Sequence, residues 1–361
     1  MIEDSKFITP APMEGQGGYN RSSRVQAAGS SPALPLLEHA ARIVPLASAP
    51  APIVIADYGA SEGRNSLAPM GVAIGALRDR VGPERAISVI HTDLPDSDFA
   101  ALFQLLASDP LSYTHLDSAA FASAVGRSFY QQILPSDSVT LGWSSWAVQW
   151  LSCVPTTIPD QLQVACSGDS AARTAFARQA DEDWRSFLAH RGREMRAGAR
   201  LVVLTMARDD AGDFGYRPLL QAMYATLLEL VDHRLVRADE AHRMVIPTVG
   251  RTREEFAAPF GQDGHFSGLG IEHLDVFNGE DRIWLEFERN RDAQTFGAQW
   301  AAFSRASVFP TLAAELEGGR TDPRASAFVQ RMEAGVAKRM AAAPERMQIP
   351  LGKMVFAKGP G

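Results

Sequence analysis

Residues 53–66, IVIADYGASEGRNS, constrain the fold more than any other stretch of this chain. A β-branched apolar run ends in Asp57, a turn punctuated by Gly59 and Gly63 follows, and a helical pattern starts near Leu67. A strand feeding a glycine turn and then a helix reads as the first unit of a parallel sheet, with a nucleotide-type cofactor at the strand's carboxyl end. The competing reading is a plain tight turn with no ligand. Further apolar runs of strand length lie at 86–91, 138–143 and 200–206, and Ala171 to Ala197 is a helical pattern between the last two. Alternating strands and helices predict an α/β, doubly wound sheet.

The frame Asp57-x-Gly59-x-Ser61-x-Gly63 departs from the dinucleotide fingerprint G-x-G-x-x-G, and carries an acid and the polar Asn65 instead. Those groups suit S-adenosylmethionine, which has cationic ammonium and sulfonium centres and no phosphate. Asp93 ends the second strand, where a carboxylate accepts hydrogen bonds from both ribose hydroxyls. Alternatively it caps the helix that starts near Asp96.

Composition removes several classes. The chain has 361 residues, 46% hydrophobic and 21% charged, enough for a large core in one elaborated domain or two joined ones. A net charge of -7 argues against non-specific nucleic-acid binding. Cys153 and Cys166 make no disulfide framework, so a reducing cytoplasm is expected. The start, MIEDSK, shows no signal-peptide pattern, and no window approaches the roughly 18 apolar residues of a membrane span. The 8 histidines are scattered without ligand spacing, so no metal site is expected.

Along the rest of the chain, Tyr216 to Ala241 reads as an amphipathic helix and Pro247 to Phe260 as turn-rich, a long insertion suited to a cap. Ile271–Phe277 and Arg282–Phe287 read as a strand pair around Asn278-Gly279. Phe296 to Leu316 is helical, and Lys353 to Ala357 adds a terminal strand.

Two more stretches carry chemistry. In WSSWAVQWLS, starting at Trp143, a helix from Ser145 puts Trp146, Gln149, Trp150 and Cys153 on one face. That face reads either as core or as an aromatic clamp with one amide, a pocket for a flat small molecule. In GGYNRSSRVQ, starting at Gly17, a glycine loop runs into a helix at Ser22 or Ser23; alone, an ordinary N-cap explains it.

Taken in order, these segments resemble the SABATH family of small-molecule methyltransferases, which includes salicylate, jasmonate and indole-acetate carboxyl methyltransferases and caffeine-pathway N-methyltransferases. The family's S-Y-x-x-N-S-x-x-Q opening is echoed by residues 13–26, its A-D-L-G-C-S-S-G-P-N-T by 56–66, and its N-D-L-P-x-N-D-F by 92–99. G-S-F-Y-x-x-L-F-P is matched by 127–135 and S-S-Y-S-L-x-W-L-S-x-V-P by 144–155. Weaker signatures fall at Phe187-Leu188, Arg191, Glu194 and Ile246-Pro247. The chain departs from the family at Glu14, Ala60 and Arg64, and Trp146 stands where a Tyr is usual.

The resemblance implies a Rossmann-like class I methyltransferase sheet with a mainly α-helical cap. It implies that Tyr19, Ser23, Asp57, Gly59, Asn65, Asp93, Leu94, Ser128, Phe129 and Ser145 hold S-adenosylmethionine, while Gln26 and Trp150 hold the carboxylate of an acid substrate. Trp146, Gln149 and, from the cap, Met223 with Leu227 are the further substrate candidates. The expected domains are a core with its N-terminal segment over 1–207, a cap over 208–265, and core strands over 266–361 with a cap-associated helix over 290–318. Methyl transfer to a small, aromatic or apolar carboxylic acid is the expected reaction. The alternatives are an N- or O-methyltransferase of a heteroaromatic or phenolic acceptor, a nicotinamide-dependent oxidoreductase, and a catalytically silent binding protein. A cytoplasmic homodimer is expected, with no nucleic-acid or membrane partner.

Overall fold

A computed structural model describes residues 31–360. Tyr19, Ser23 and Gln26 lie outside the described residues. Among the described residues the sheet strands are β1 (Ile53–Tyr58), β2 (Ile87–Asp93), β3 (Ala120–Gly126), β4 (Val139–Ser145), β5 (Met195–Met206), β6 (His265–Phe266), β7 (Leu269–Asn278) and β8 (Pro350–Lys358). They line up as β3-β2-β1-β4-β5-β8-β7-β6. The strands from β3 to β5 are parallel, and β8 runs antiparallel to both its neighbours. β1 and β4 are buried almost throughout, the signature of parallel strands covered on both faces.

The crossovers supply those covers. α1 (Leu34–Ile43), α2 (Leu67–Val81), α3 (Phe99–Ser108) and the short α4 (Tyr113–Leu116) lie on one face, where Leu37, Met70 and Leu102 meet Ile55, Val89 and Leu141. α5 (Ser170–Glu194) covers the other, with Trp184, Phe187 and Leu188 against Tyr58, Leu201 and Val203. The expected doubly wound sheet is what forms.

A helical cap stands over the carboxyl ends of the strands. It contains α6 (Arg217–Asp232) and α7 (Ala238–Arg243), while α8 (Arg253–Ala257) turns back to seat Phe256 against the sheet. The rest of the cap comes from after β7: α9 (Arg282–Asn290), α10 (Ala293–Ser307), α11 (Phe309–Ala313) and α12 (Ala325–Ala342). Leu219, Met223, Leu227, Trp300, Phe328 and Met332 share its core. At Gly297 an added Cβ would lie 2.2 Å from the Ala337 carbonyl oxygen, so α10 and α12 approach as closely as they do only over glycine.

Some expectations need correction. Arg282–Phe287 is helical, so no hairpin forms around Asn278-Gly279: Gly279 N–H donates to the Ile349 carbonyl at 2.8 Å, and Asp281 caps α9 by accepting from Trp284 N at 2.9 Å. Ser145 to Ser152 is no helix either, because Trp146 has φ +56° and turns the chain off β4. The helical stretch from Tyr216 divides into α6 and α7, and that from Phe296 into α10 and α11, with Pro310 in the first turn of α11. β3 and α12 have no counterpart in the sequence reading.

Candidate active site

The turn after β1 forms the first wall. Gly59 (φ +91°) and Gly63 (φ +86°) take backbone conformations that L side chains rarely adopt. An added Cβ on Gly59 would lie 2.5 Å from Ala147 Cβ, so glycine is what lets this turn touch the loop after β4. The Gly59 and Ala60 amides both donate to the Thr92 carbonyl, at 2.9 and 3.0 Å. Asp57 sits beneath the turn, 3% exposed. Its Oδ2 accepts from Ser66 Oγ at 2.5 Å and from His91 Nδ1 at 2.8 Å, and His91 Nε2 meets the Tyr113 hydroxyl at 2.8 Å. Asp57 therefore fixes the turn from below, and neither it nor Asn65 is among the cavity's wall residues.

Asp93 does reach the cavity. Its Oδ2 accepts from Ser61 N at 2.7 Å, and its Oδ1 from Leu94 N at 2.7 Å and Ser97 Oγ at 2.6 Å. Burial pushes its carboxyl up, these hydrogen bonds oppose that, and the nearby Asp57 charge adds to it. The helix that follows is capped by Asp98, which accepts from Ala101 N at 2.9 Å. The capping reading of Asp93 thus fails.

Ser128 and Phe129 stand on a loop held from below by a buried ion pair. The Arg191 guanidinium donates to the Phe129 carbonyl at 2.7 Å, the Gln131 carbonyl at 2.8 Å and both Glu194 oxygens. Glu194 in turn accepts from Tyr58 Oη at 2.7 Å and from the amides of Ile133 and Leu134.

The loop after β4 is the opposite wall. The Gln149 amide donates to the Trp146 carbonyl at 2.7 Å and accepts from Thr205 Oγ1 at 2.8 Å, so it braces the loop. The Trp150 carbonyl accepts from Tyr130 Oη, Ser152 N donates to Asp183 at 2.7 Å, and Arg251 donates to the Val148 carbonyl at 2.8 Å. Trp146 and Trp150 both line the cleft without a helix, since a tight turn also puts residues at this spacing on one wall.

Between these walls and the cap lies a cleft of about 1260 Å³, counting the part open to solvent. It brings together Gly59, Asp93, Leu94, Ser128, Phe129 and Ser145 at the sheet end. Trp146, Gln149, Trp150 and Met223 lie toward the cap. Sequence reasoning missed Tyr216, whose ring stacks on Phe303 at 6.0 Å between centroids, and Phe303, which meets Trp146 edge-on at 6.4 Å. Among the described wall residues Asp93 alone carries a formal charge. No described group of His, Cys, Asp or Glu has the makings of a metal site.

The residues present fit S-adenosylmethionine on their own evidence. Asp93 offers a carboxylate, Gly59 borders the cleft as bare backbone, and Ser145 Oγ is a buried hydroxyl with no hydrogen-bond partner in the described structure. Sheet order, glycine turn and cap-roofed cleft define a class I methyltransferase. The fold matches that of loganic acid methyltransferase solved with SAH, with a TM-score of 0.74, 20% identity and coverage of 97% of this chain and 99% of that one. The family model for SAM-dependent carboxyl methyltransferases matches residues 9–351, and the chain belongs to that family. It is 28% identical over 325 residues to anthranilate O-methyltransferase 2 of Zea mays, covering 84% of this chain and 86% of the relative. It is also 28% identical over 253 residues to methyltransferase FUS9 of Gibberella fujikuroi (strain CBS 195.34 / IMI 58289 / NRRL A-6831), covering 70% and 67%.

Proposed function

We propose that this carboxyl methyltransferase acts on a small acid whose body is aromatic or apolar, giving its methyl ester. The observation that carries this is the wall chemistry: beyond Asp93 at the cofactor end, the described lining is aromatic, aliphatic or uncharged polar. An acid with a pKa near 4 is ionised at neutral pH and needs no general base. A phenol, with a pKa near 10, needs one, and no histidine or lysine borders the cleft among the described residues. This favours the carboxylate over the phenolic alternative.

S-adenosylmethionine supplies the methyl group. Asp93 accepts from its ribose, while Ser128, Phe129 and Ser145 border the same end. Trp150, with Gln26 from the N-terminal segment, donates N–H groups to the acid. Trp146, Met223 and the cap exclude water and align the acid oxygen, which is where the rate comes from in a direct transfer. Asp57 and Asn65 act by shaping the turn. The two cysteines are free, which supports a reducing, cytoplasmic setting, and the protein works as a homodimer, a state that light scattering reads directly.

The test is a panel of aromatic and aliphatic acids, phenols and heteroaromatic amines with methyl-labelled cofactor. Label released by mild base marks an ester and supports the reading. Base-stable label on phenols or amines alone overturns it.

A further inference from the structure

A second cavity of about 740 Å³, counting its open part, lies between α5, the end of β5 and α8. Among the described residues it shares with the first only Phe214, which lines both. Phe176, Val164, Val249 and Phe214 make its apolar walls, and Arg173, Arg208 and Arg251 border it. Its acids are already engaged: Asp181 pairs with Arg185 at 2.8 Å, and Glu255 pairs with Arg208. Arg173 and Arg251 make no ion-pair contact among the described residues, although Asp160, held by Ser167 and Gly168, is near enough for the Arg173 charge to lower its pKa. The closest polar partner of Arg173 is the Ser167 carbonyl at 3.5 Å. Arg251, 2% exposed, donates to the carbonyls of Ala180 and Val148. A buried guanidinium without a directly bonded carboxylate is costly, and burial lowers its pKa against the smaller pull of Tyr130, Asp183 and Glu255. The buried Arg251 and the exposed Arg173 at the cavity's edge, beside apolar walls, complement an anion attached to an apolar body.

We propose that this second cavity binds a small organic acid, its carboxylate at Arg173 and Arg251 and its apolar part against Phe176 and Phe214. The site is separate from the methyl-transfer cleft, and its existence does not rest on the reaction assigned there. Occupancy reaches that cleft by two contacts: the shared Phe214 ring, and the bond from Arg251 to the Val148 carbonyl in the loop carrying Trp146 and Trp150. A bound acid thereby tunes how the enzyme holds its substrate.

The experiment is calorimetric titration of 2-naphthoate into the full-length protein, its Ala177→Trp variant and its Arg173→Glu variant. Ala177 is an exposed rim residue on α5, so the indole fills the cavity from outside. Loss of a binding event in Ala177→Trp and at least about tenfold weakening of that same event in Arg173→Glu are expected. The uncharged 2-naphthalenemethanol should lack the event in all three proteins. Unchanged stoichiometry and affinity in both variants overturn the proposal, as does equal binding of the alcohol. Should Ala177→Trp fail to fold, by melting curve, the exposed Arg173 substitution decides alone. Methyl transfer to the acid panel is assayed separately, so failure of the reaction assigned to the first cleft and failure of this second site are read independently.

Discussion

Arg191 and Glu194 form an ion pair at the last turn of α5 in which neither side chain reaches solvent. Around it converge Tyr58 of β1, the carbonyls of Phe129 and Gln131, and the amides of Ile133 and Leu134. The pair is a joint between the strand that precedes the cofactor turn and the loop that faces it. The Glu194→Gln variant leaves a buried guanidinium short of its counter-charge, and should lose about 3–5 kcal/mol of stability. Urea unfolding followed by tryptophan fluorescence measures the loss, and a variant within about 0.5 kcal/mol of the parent would show the joint to be dispensable.

Gly59→Ala combines a left-handed backbone with a Cβ overlapping Ala147. It should cost about 1–3 kcal/mol and displace the turn against the loop after β4. S-adenosylhomocysteine affinity, measured by calorimetry, should fall with it.

Asp93→Asn keeps the size but removes the charge proposed to meet the ribose. A hydrogen bond to a charged group is worth about 1.5–3 kcal/mol, so cofactor affinity should drop about tenfold or more while KM for the acid changes little. Since burial raises the Asp93 pKa, wild-type cofactor affinity should begin to fall on acidification at a higher pH than an ordinary carboxylate would dictate, and the Asn variant should lack that dependence.

Trp150→Phe keeps an aromatic wall and loses the indole N–H. KM for the acid should rise about tenfold, with cofactor binding intact. Equal effects on both would place Trp150 in the general packing of the cleft.

The cap carries a pH limit of its own. Arg324, with the amides of Arg237 and Glu317, holds Glu240 down at about 2 from an ordinary 4.5. A carboxyl depressed by folding stabilises the native state above its unfolded pKa, and that contribution fades as pH falls from about 4.5 toward about 2. Melting temperatures across that window should show a steeper acid limb in the parent than in Glu240→Gln.

What was legible in the sequence follows from how local each signal is. The β1 turn announces itself because Asp57, Gly59 and Gly63 act within one short segment, and Asp93 is tied to the same turn through Ser61. Trp146 to Trp150 misled because a helix and a tight turn both bring residues at this spacing to one side. The helix at Arg282 was missed although Asp281, its cap, is visible in the sequence. β3 is built from small residues at the sheet edge and has little periodicity to read. Tyr216 and Phe303 join the cleft only when α6 and α10 pack, and no local pattern reports a contact over that separation.

The cap is fed from both sides of β7 and enters and leaves the sheet at several places: before α6, after α7, before α9 and after α12. A body tethered at one linker swings like a door. One tethered so many times, with α10 lying on α12 over Gly297, is held against such a swing and adjusts by small sliding of its packed helices. Adjustment of this roof is thus a matter of shear, and because Phe303, Ser304 and Ser307 of α10 line the cleft, substitutions along the α10–α12 seam reach its wall through the helix itself.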